Sequence, residues 1–420
     1  MKILLLGGHG FIGRQIAARL LAAGHQVEAP ARAQLDLASM LQPSDWLPWL
    51  DGIDAVVNAA GILRPRGRDS FERIHYQAPL ALARACVERQ VKGWVQISAL
   101  GSERDGEFIA SKHRFDAALL ALNLPALVLR PSVVYSVSGS YGGSSLLRAL
   151  AGLPLVLALP GDGSQRIQAI DMDSLAEAVV QSLDRLRSDQ RPSAPIELVG
   201  PEAICLADYL RAWRRWLGYT TFTELRVPLP VIGLAARLGE WLGSGALGLT
   251  IWGMLQRGNV AADGAYVRQT AELGLLPPAL AKVLAQTPAQ LQDRWQARLW
   301  LLAPLLNLSL ALLWLGSGIT GLSMDQATID RMSAPLGLSG ASAAWLAQTT
   351  SVLDLLLGSA LLLGRWTRPV ILLMLISTLA YTLILGAFAP GLWLDPFGGL
   401  LKNLPLIPAL LIAWVLADRR

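Results

Sequence analysis

The chain has 420 residues, of which 53% are hydrophobic and only 16% charged, with a positive mean hydropathy; it is too long for one ordinary core and too apolar for a wholly water-facing one. The formal charge of +5 comes without a long Lys/Arg run or an aromatic–basic stripe, which argues against nucleic acid as a partner. Two distant cysteines, Cys86 and Cys205, give neither a disulfide framework nor metal-ligand spacing.

The chain opens Met1-Lys2-Ile3-Leu4-Leu5-Leu6 and then meets glycine, an apolar run far too short for the core of a signal peptide. It reads as a first β-strand, and the N-terminal domain is expected in the cytoplasm. Up to about residue 130, short β-rich runs (Ile3 to Leu6, Ala55 to Asn58, Trp94 to Ser98, Ala126 to Leu129) alternate with segments of helical periodicity. Buried strands separated by helices predict a doubly wound parallel sheet, because parallel strands need crossover connections.

From about 131 to 298 the pattern becomes Pro/Gly-punctuated helices with isolated strands such as Ile196 to Val199, as expected of a smaller substrate lobe that interleaves with and follows a nucleotide-binding core over about residues 1–180. Within it, Val227 to Val260 is apolar and aromatic, with Trp241 and Trp252. Three readings stay open for it: ordinary helical core, the wall of a greasy pocket, or a surface that rests on a membrane.

Beyond residue 298 the character changes. Apolar segments near 299–318, 345–363, 369–387 and 400–417 each approach the length a helix needs to cross the hydrocarbon layer. An all-α transmembrane four-helix bundle over 299–420 is predicted after a domain spanning 1–298. Arg294, Arg298, Arg365, Arg368, Arg419 and Arg420 fall on one side of this arrangement and only Arg331 and Lys402 on the other. The excess predicts both termini cytoplasmic, in a multi-pass protein of the inner membrane.

The strongest local motif is Gly7-Gly8-His9-Gly10-Phe11-Ile12-Gly13, between the first strand and a helix. Glycines there permit the tight turn, close approach of backbone to a diphosphate, and helix–strand packing, while the helix N-terminus presents amides to phosphate. The alternative is a purely structural glycine turn. Cofactor choice is read at the end of the second strand, Gln26 to Pro30: Arg32 follows, and no carboxylate stands there unless Glu28 does. The cofactor expected is NADP or NAD, with NADP preferred unless Arg32 is merely a solvated loop charge.

These motifs resemble the short-chain dehydrogenase/reductase family in its extended or atypical form, an α/β Rossmann fold. Gly7, Gly10 and Gly13 match that family's Gly-x-x-Gly-x-x-Gly pattern, so Phe11 and Ile12 fall in the cofactor turn. Asp36-Leu37 is similar to its adenine-contacting pair, and Asn58-Ala59-Ala60-Gly61 to its Asn-Ala-Ala-Gly run. Arg130-Pro131-Ser132-Val133-Val134 resembles the strand and loop beside the nicotinamide. The resemblance implies a catalytic Ser at Ser98 and a catalytic, ribose-holding Lys at Lys112. The acid/base Tyr position holds Phe108, whose ring exchanges no proton. Ser111, Tyr135, Tyr141 and His75 are the candidate substitutes. Loss of that Tyr with Ile74-His75 and Ile97-Ser98-Ala99-Leu100-Gly101 is also similar to the subgroup containing the accessory dehydrogenase-like subunit of respiratory complex I.

The membrane part resembles the DoxX-like family, on the passage Asp395-Pro396-Phe397-Gly398-Gly399-Leu400-Leu401-Lys402-Asn403-Leu404-Pro405. Asp354 falls mid-span, where a carboxylate costs about 2.5–3.5 kcal/mol and so faces a partner or a cavity; Lys402 is its one nearby basic candidate, unless it snorkels to water. Taken together, the expectation is a membrane-anchored NAD(P)-binding oxidoreductase acting on a lipophilic substrate such as a quinone at the cytoplasmic face. The alternatives are a non-catalytic NAD(P)-binding sensor or assembly factor, and an NAD(P)-regulated membrane carrier.

Overall fold

A computed structural model describes residues 1–188, 194–241, 248–364, 366–394 and 399–418. Arg365, Arg419 and Arg420, which enter the orientation argument, lie outside the described residues, as do Asp395 to Gly398 of the DoxX-like passage and the side chain of Trp241. The chain divides into two compact units, Met1–Ala297 and Arg298–Arg420.

The first unit is built on six parallel strands: β1 (Lys2–Leu6), β2 (Gln26–Glu28), β3 (Ala55–Asn58), β4 (Gly93–Ile97), β5 (Ala126–Pro131) and β6 (Ile196–Leu198), in the spatial order β6-β5-β4-β3-β1-β2. Residues of β1, β3 and β4 are buried on both faces, as parallel strands covered by helices must be. Alternation sends Ile3 and Leu5 to one face, packed with Ile16 and Leu20 of α1 (Phe11–Ala22) and with Leu183 further along the chain. Leu4 and Leu6 point to the other, against Leu82 of α2 (Ala78–Glu88) and Phe115 of α3 (Glu107–Leu120). Leu183 belongs to α4 (Met172–Arg187), which completes the first face.

The chain leaves β1 for β2 on one side and then crosses to β3 on the other, with Ile3 to Leu6 in register with Ala55 to Asn58. That reversal opens a crevice at the carboxyl ends of β1 and β3, where ligands bind in such sheets.

A third core, around Tyr135, Trp213 and Leu217, fills the smaller lobe, where α5 (Leu206–Trp216) packs with short ribbons such as Val156–Pro160 paired to Thr223–Val227. The 227–260 stretch forms α6 (Leu229–Trp241) and α7 (Leu249–Arg257). Trp252 is buried, as ordinary core requires. Leu229, Arg257 and Val260 also wall an open cavity of about 970 Å³, but its other lining residues include Gln165, Gln168 and Arg166, so it is not the greasy pocket considered from sequence.

The second unit begins within α8 (Leu291–Leu322) and continues with α9 (Gly340–Leu362) and α10 (Thr367–Phe388); these three helices are long and apolar enough to cross a membrane. The fourth expected span folds as α11 (Asn403–Leu416), which is 14 residues long and short of the roughly 20 needed to cross. The polar pair Lys402-Asn403 sets its start, and Pro405 and Pro408 fall in its first turns. Glycines bring α8 and α9 into close contact: a Cβ on Gly318 would lie 2.7 Å from the Ser351 carbonyl oxygen, and one on Gly358 3.0 Å from that of Ala311. Asp354 is buried at this contact and accepts a hydrogen bond from Ser317 (2.8 Å), not from Lys402, which is exposed.

Candidate functional site

The glycine motif folds as the crevice needs. Gly7 has φ +75°, a conformation most side chains avoid, and its carbonyl accepts the amide of Gly10 at 2.9 Å. A Cβ on Gly7 would meet the Ala59 backbone at 2.8 Å, and one on Gly13 would meet the Gly7 carbonyl oxygen at 2.0 Å, so strand, turn and helix close only around glycine. Gly10 is different. It precedes α1 with no side chain capping the helix, and a Cβ there would have one neighbour within 4 Å, the Gly7 oxygen at 3.2 Å. The amides of the first turn, from Phe11 and Ile12 onward, are thus offered to the crevice while their side chains pack on the sheet.

On the far wall, Asn58 is buried and donates from Nδ2 to Gln96 (2.9 Å) while its Oδ1 accepts the Ala60 amide (3.1 Å). It pins β3 to β4 and shapes the Ala59-Ala60-Gly61 turn; it is spent on the protein. Arg32 lies past β2, exposed, with its guanidinium on both oxygens of Asp69 (2.9 and 2.7 Å) and 3.9 Å from Asp36. Asp36 turns back to its own backbone, accepting the Ala38 amide at 3.3 Å, and Leu37 packs on the second core. Glu28 is drawn to Lys2 at 3.1 Å, leaving the end of β2 without a free carboxylate.

The other end of the crevice is organised around Lys112. Its ammonium is buried, donates to the Ile97 carbonyl at 3.1 Å, and lies 5.9 Å from the Phe108 ring centroid. Burial pulls its pKa down from 10.5 to about 8, against the opposing attraction of Asp116. Gly61 makes room for it: a Cβ there would meet both Lys112 Nζ and His75 Nε2 at 3.4 Å.

His75 sits in a π-helical turn, Glu72–Gln77, that runs directly into α2. Its Nε2 accepts the Ile62 amide at 3.0 Å, which leaves Nδ1 as the protonated nitrogen, 2.9 Å from Ser111 Oγ. The Ser111 hydroxyl donates in turn to the Glu107 carbonyl at 2.7 Å. Burial, with Lys112 nearby, pushes the imidazole pKa down to about 2. Neither residue is free to take the place of the missing tyrosine.

Phe108 stands edge-on to His75 (5.6 Å between centroids) and to Phe71 (6.1 Å), and Phe71 stacks on His75 at 5.3 Å. A phenyl ring suits this apolar nest. The other two candidates lie elsewhere: Tyr135 packs edge-on to Trp213 in the lobe core, its buried hydroxyl without a hydrogen-bond partner among the described residues, and Tyr141 is 64% exposed.

Ser98 is buried, but its hydroxyl donates to Asp116 at 2.7 Å rather than toward the crevice. The same oxygen of Asp116 receives Arg130 at 2.9 and 3.0 Å. Burial pushes this carboxyl up, and Ser98 and Arg130 pull it back. Pro131 ends β5 buried in the sheet, its carbonyl accepting the Leu100 amide at 3.0 Å. Asp116 was missed from sequence, although it lies four residues after Lys112 and so on the same helix face. Phe71, four residues before His75, was missed for the same reason.

Residues 3–194 match the NAD dependent epimerase/dehydratase family, and residues 311–411 the DoxX-like family. Photosystem II assembly factor Ycf39 of Trieres chinensis is 25% identical over 197 residues, which is 44% of this chain; the chain spans only 60% of that relative's length. Among solved structures, human epimerase family protein SDR39U1, crystallised with NADPH, aligns over 68% of this chain and 98% of its own with a TM-score of 0.51 at 23% identity. Pal from Bacillus thuringiensis aligns over 70% and 98% with a TM-score of 0.50 at 17% identity. Both likenesses are of fold.

Proposed function

The chain joins a domain of the NAD dependent epimerase/dehydratase family to a DoxX-like membrane domain, and from that premise we propose a membrane-anchored protein that binds a nicotinamide dinucleotide without the tyrosine-dependent proton transfer of the dehydrogenases it resembles. One observation carries this reading: Phe108 occupies the acid/base position inside a nest of Phe71 and His75, and the nearby Ser98 hydroxyl is committed to Asp116. The amides at the start of α1 would hold the diphosphate, and Lys112 would face the nicotinamide ribose. With Glu28 drawn off to Lys2, NADP is favoured over NAD where its 2′-phosphate takes Arg32 from Asp69.

The chain then serves as a dinucleotide-responsive sensor or assembly factor of the inner membrane, with its first unit in the cytoplasm. The likeness to a photosystem II assembly factor supports the class of role, not the partner. The test is to titrate NADPH and NADH into the full-length protein in detergent, then supply quinones and carbonyl compounds. Saturable binding with no oxidation is expected; steady turnover overturns the proposal.

A second reading, an oxidoreductase with a lipophilic substrate such as a quinone, has one observation in its favour. Lys112 is a buried ammonium with a pKa near 8 and donor capacity beyond its one bond to Ile97, as a general acid requires. A bound nicotinamide would supply the hydride. Turnover in the parent that is lost both in Lys112→Arg, whose guanidinium cannot release a proton, and in Lys112→Met, with NADPH still bound, would favour it.

A further inference from the structure

Helix α6 is apolar on both sides. Ala236 is fully buried and Gly233 faces the Trp252 indole across a 3.7 Å gap from its would-be Cβ, so one side packs on α7. The opposite side is also apolar: Val231, Leu234 and Leu238 are 53, 58 and 51% exposed, spaced as one helical face, with Leu229 and Pro230 at its start. Leu225, on the strand just before, and Leu249, at the start of α7, are exposed as well. Elsewhere in the first unit exposed large apolar residues are scattered, as surface leucines normally are. A contiguous exposed apolar face of this kind marks an interaction surface.

Charge identifies the partner surface. Two carboxylates flanking the face are paired inside the protein, Glu224 with Arg211 at 2.7 Å and Glu240 with Arg64 at 3.6 Å, while Asp162, next to Leu229, is exposed. Arg226 and Arg237 are exposed beside it. Arg226 also feels Asp162 and Glu224; an apolar stripe edged by exposed arginines is the pattern that inserts shallowly into an anionic lipid surface. The same chain carries three helices long and apolar enough to cross a membrane. We propose that α6 rests on an anionic lipid surface, with Val231, Leu234 and Leu238 among the acyl chains and Arg226 and Arg237 at the headgroups. This holds whether or not the dinucleotide site turns over.

The test uses the full chain in nanodiscs, in a Cys205→Ser background, with a fluorophore placed through Leu234→Cys, Leu238→Cys or, as a control, Lys92→Cys, whose native side chain is 74% exposed. Quenching by lipid-borne nitroxide is expected to be severalfold greater at 234 and 238 than at 92, and quenching by iodide the reverse. Combining Arg226→Glu with Arg237→Glu is expected to lower lipid quenching at 234 in anionic but not in zwitterionic discs. Iodide access equal to the control overturns the proposal. Protection from both quenchers also overturns it, since the face is then covered by protein, whether a second copy or another part of the chain. Retained dinucleotide binding shows that each variant is folded.

Discussion

The two ends of the crevice are built on opposite economies. At the glycine turn, space is kept open and amides are left for a ligand: Gly10 has almost nothing around it, and no side chain caps the helix it introduces. At the other end the donors are turned inward, Ser98 to Asp116, His75 to Ser111, Ser111 to a carbonyl. Of these four residues, Lys112 keeps donor capacity in hand. The contrast teaches that holding a dinucleotide and reacting it are separable properties of one fold, each with its own residues.

The contrast can be broken at either end. The largest effect is expected from Asp116→Ala, which strands Arg130 and leaves Ser98 without its acceptor; removing one partner of a buried pair costs about 3 kcal/mol or more, read as a drop in the unfolding midpoint of the first unit. A stable variant would mean that Ser98 is less committed than its geometry implies. Next, Gly10→Glu places a carboxylate where the diphosphate belongs, and NADPH affinity by calorimetry is expected to fall about 100-fold, or roughly 2.7 kcal/mol. Undiminished binding would reduce the glycine turn to a structural one.

A smaller effect is set by pH. The His75 ring titrates near 2 when folded against 6.5 when unfolded. Below pH 6.5 the unfolded chain therefore takes up a proton that the folded chain refuses. Stability is whole above that pH and is lost at about 1.4 kcal/mol per unit as pH falls below it. Denaturant midpoints at a series of pH values should fall less steeply in His75→Gln than in the parent by this slope, the remainder coming from groups such as Asp54 and Glu177 that are also held low. The smallest effect is expected of Phe108→Tyr: NADPH affinity within about twofold of the parent, and still no oxidation, because restoring the hydroxyl does not free Ser98. Robust turnover in that variant would show that the ring alone separates this site from an active one.

Much of the dinucleotide end was legible because its logic is local. Glycine spacing after an apolar strand dictates a turn, and Gly7 to Gly13 adopt it; the strands through Ala55 and Ala126 follow equally from short buried runs. The Lys112 end was legible only as residue types. That Ser98 turns to Asp116, or that His75 is locked by Ile62 and Ser111, depends on pairings between segments far apart in sequence, which no periodicity encodes. The membrane helices were legible from length and apolarity, with the last shortened where Lys402, Asn403 and two prolines crowd its start.

The π-helical turn at Glu72–Gln77 has a consequence of its own. Such a turn holds one residue more than an α-turn over the same rise, and one residue is worth about 100° of rotation. The imidazole is thus aimed by a head count rather than by its own identity. A lineage that lost one residue of this turn before His75 would keep the glycines, Ser98, Phe108 and Lys112 intact, yet swing the imidazole away from Gly61 and unlatch the ring from the crevice wall.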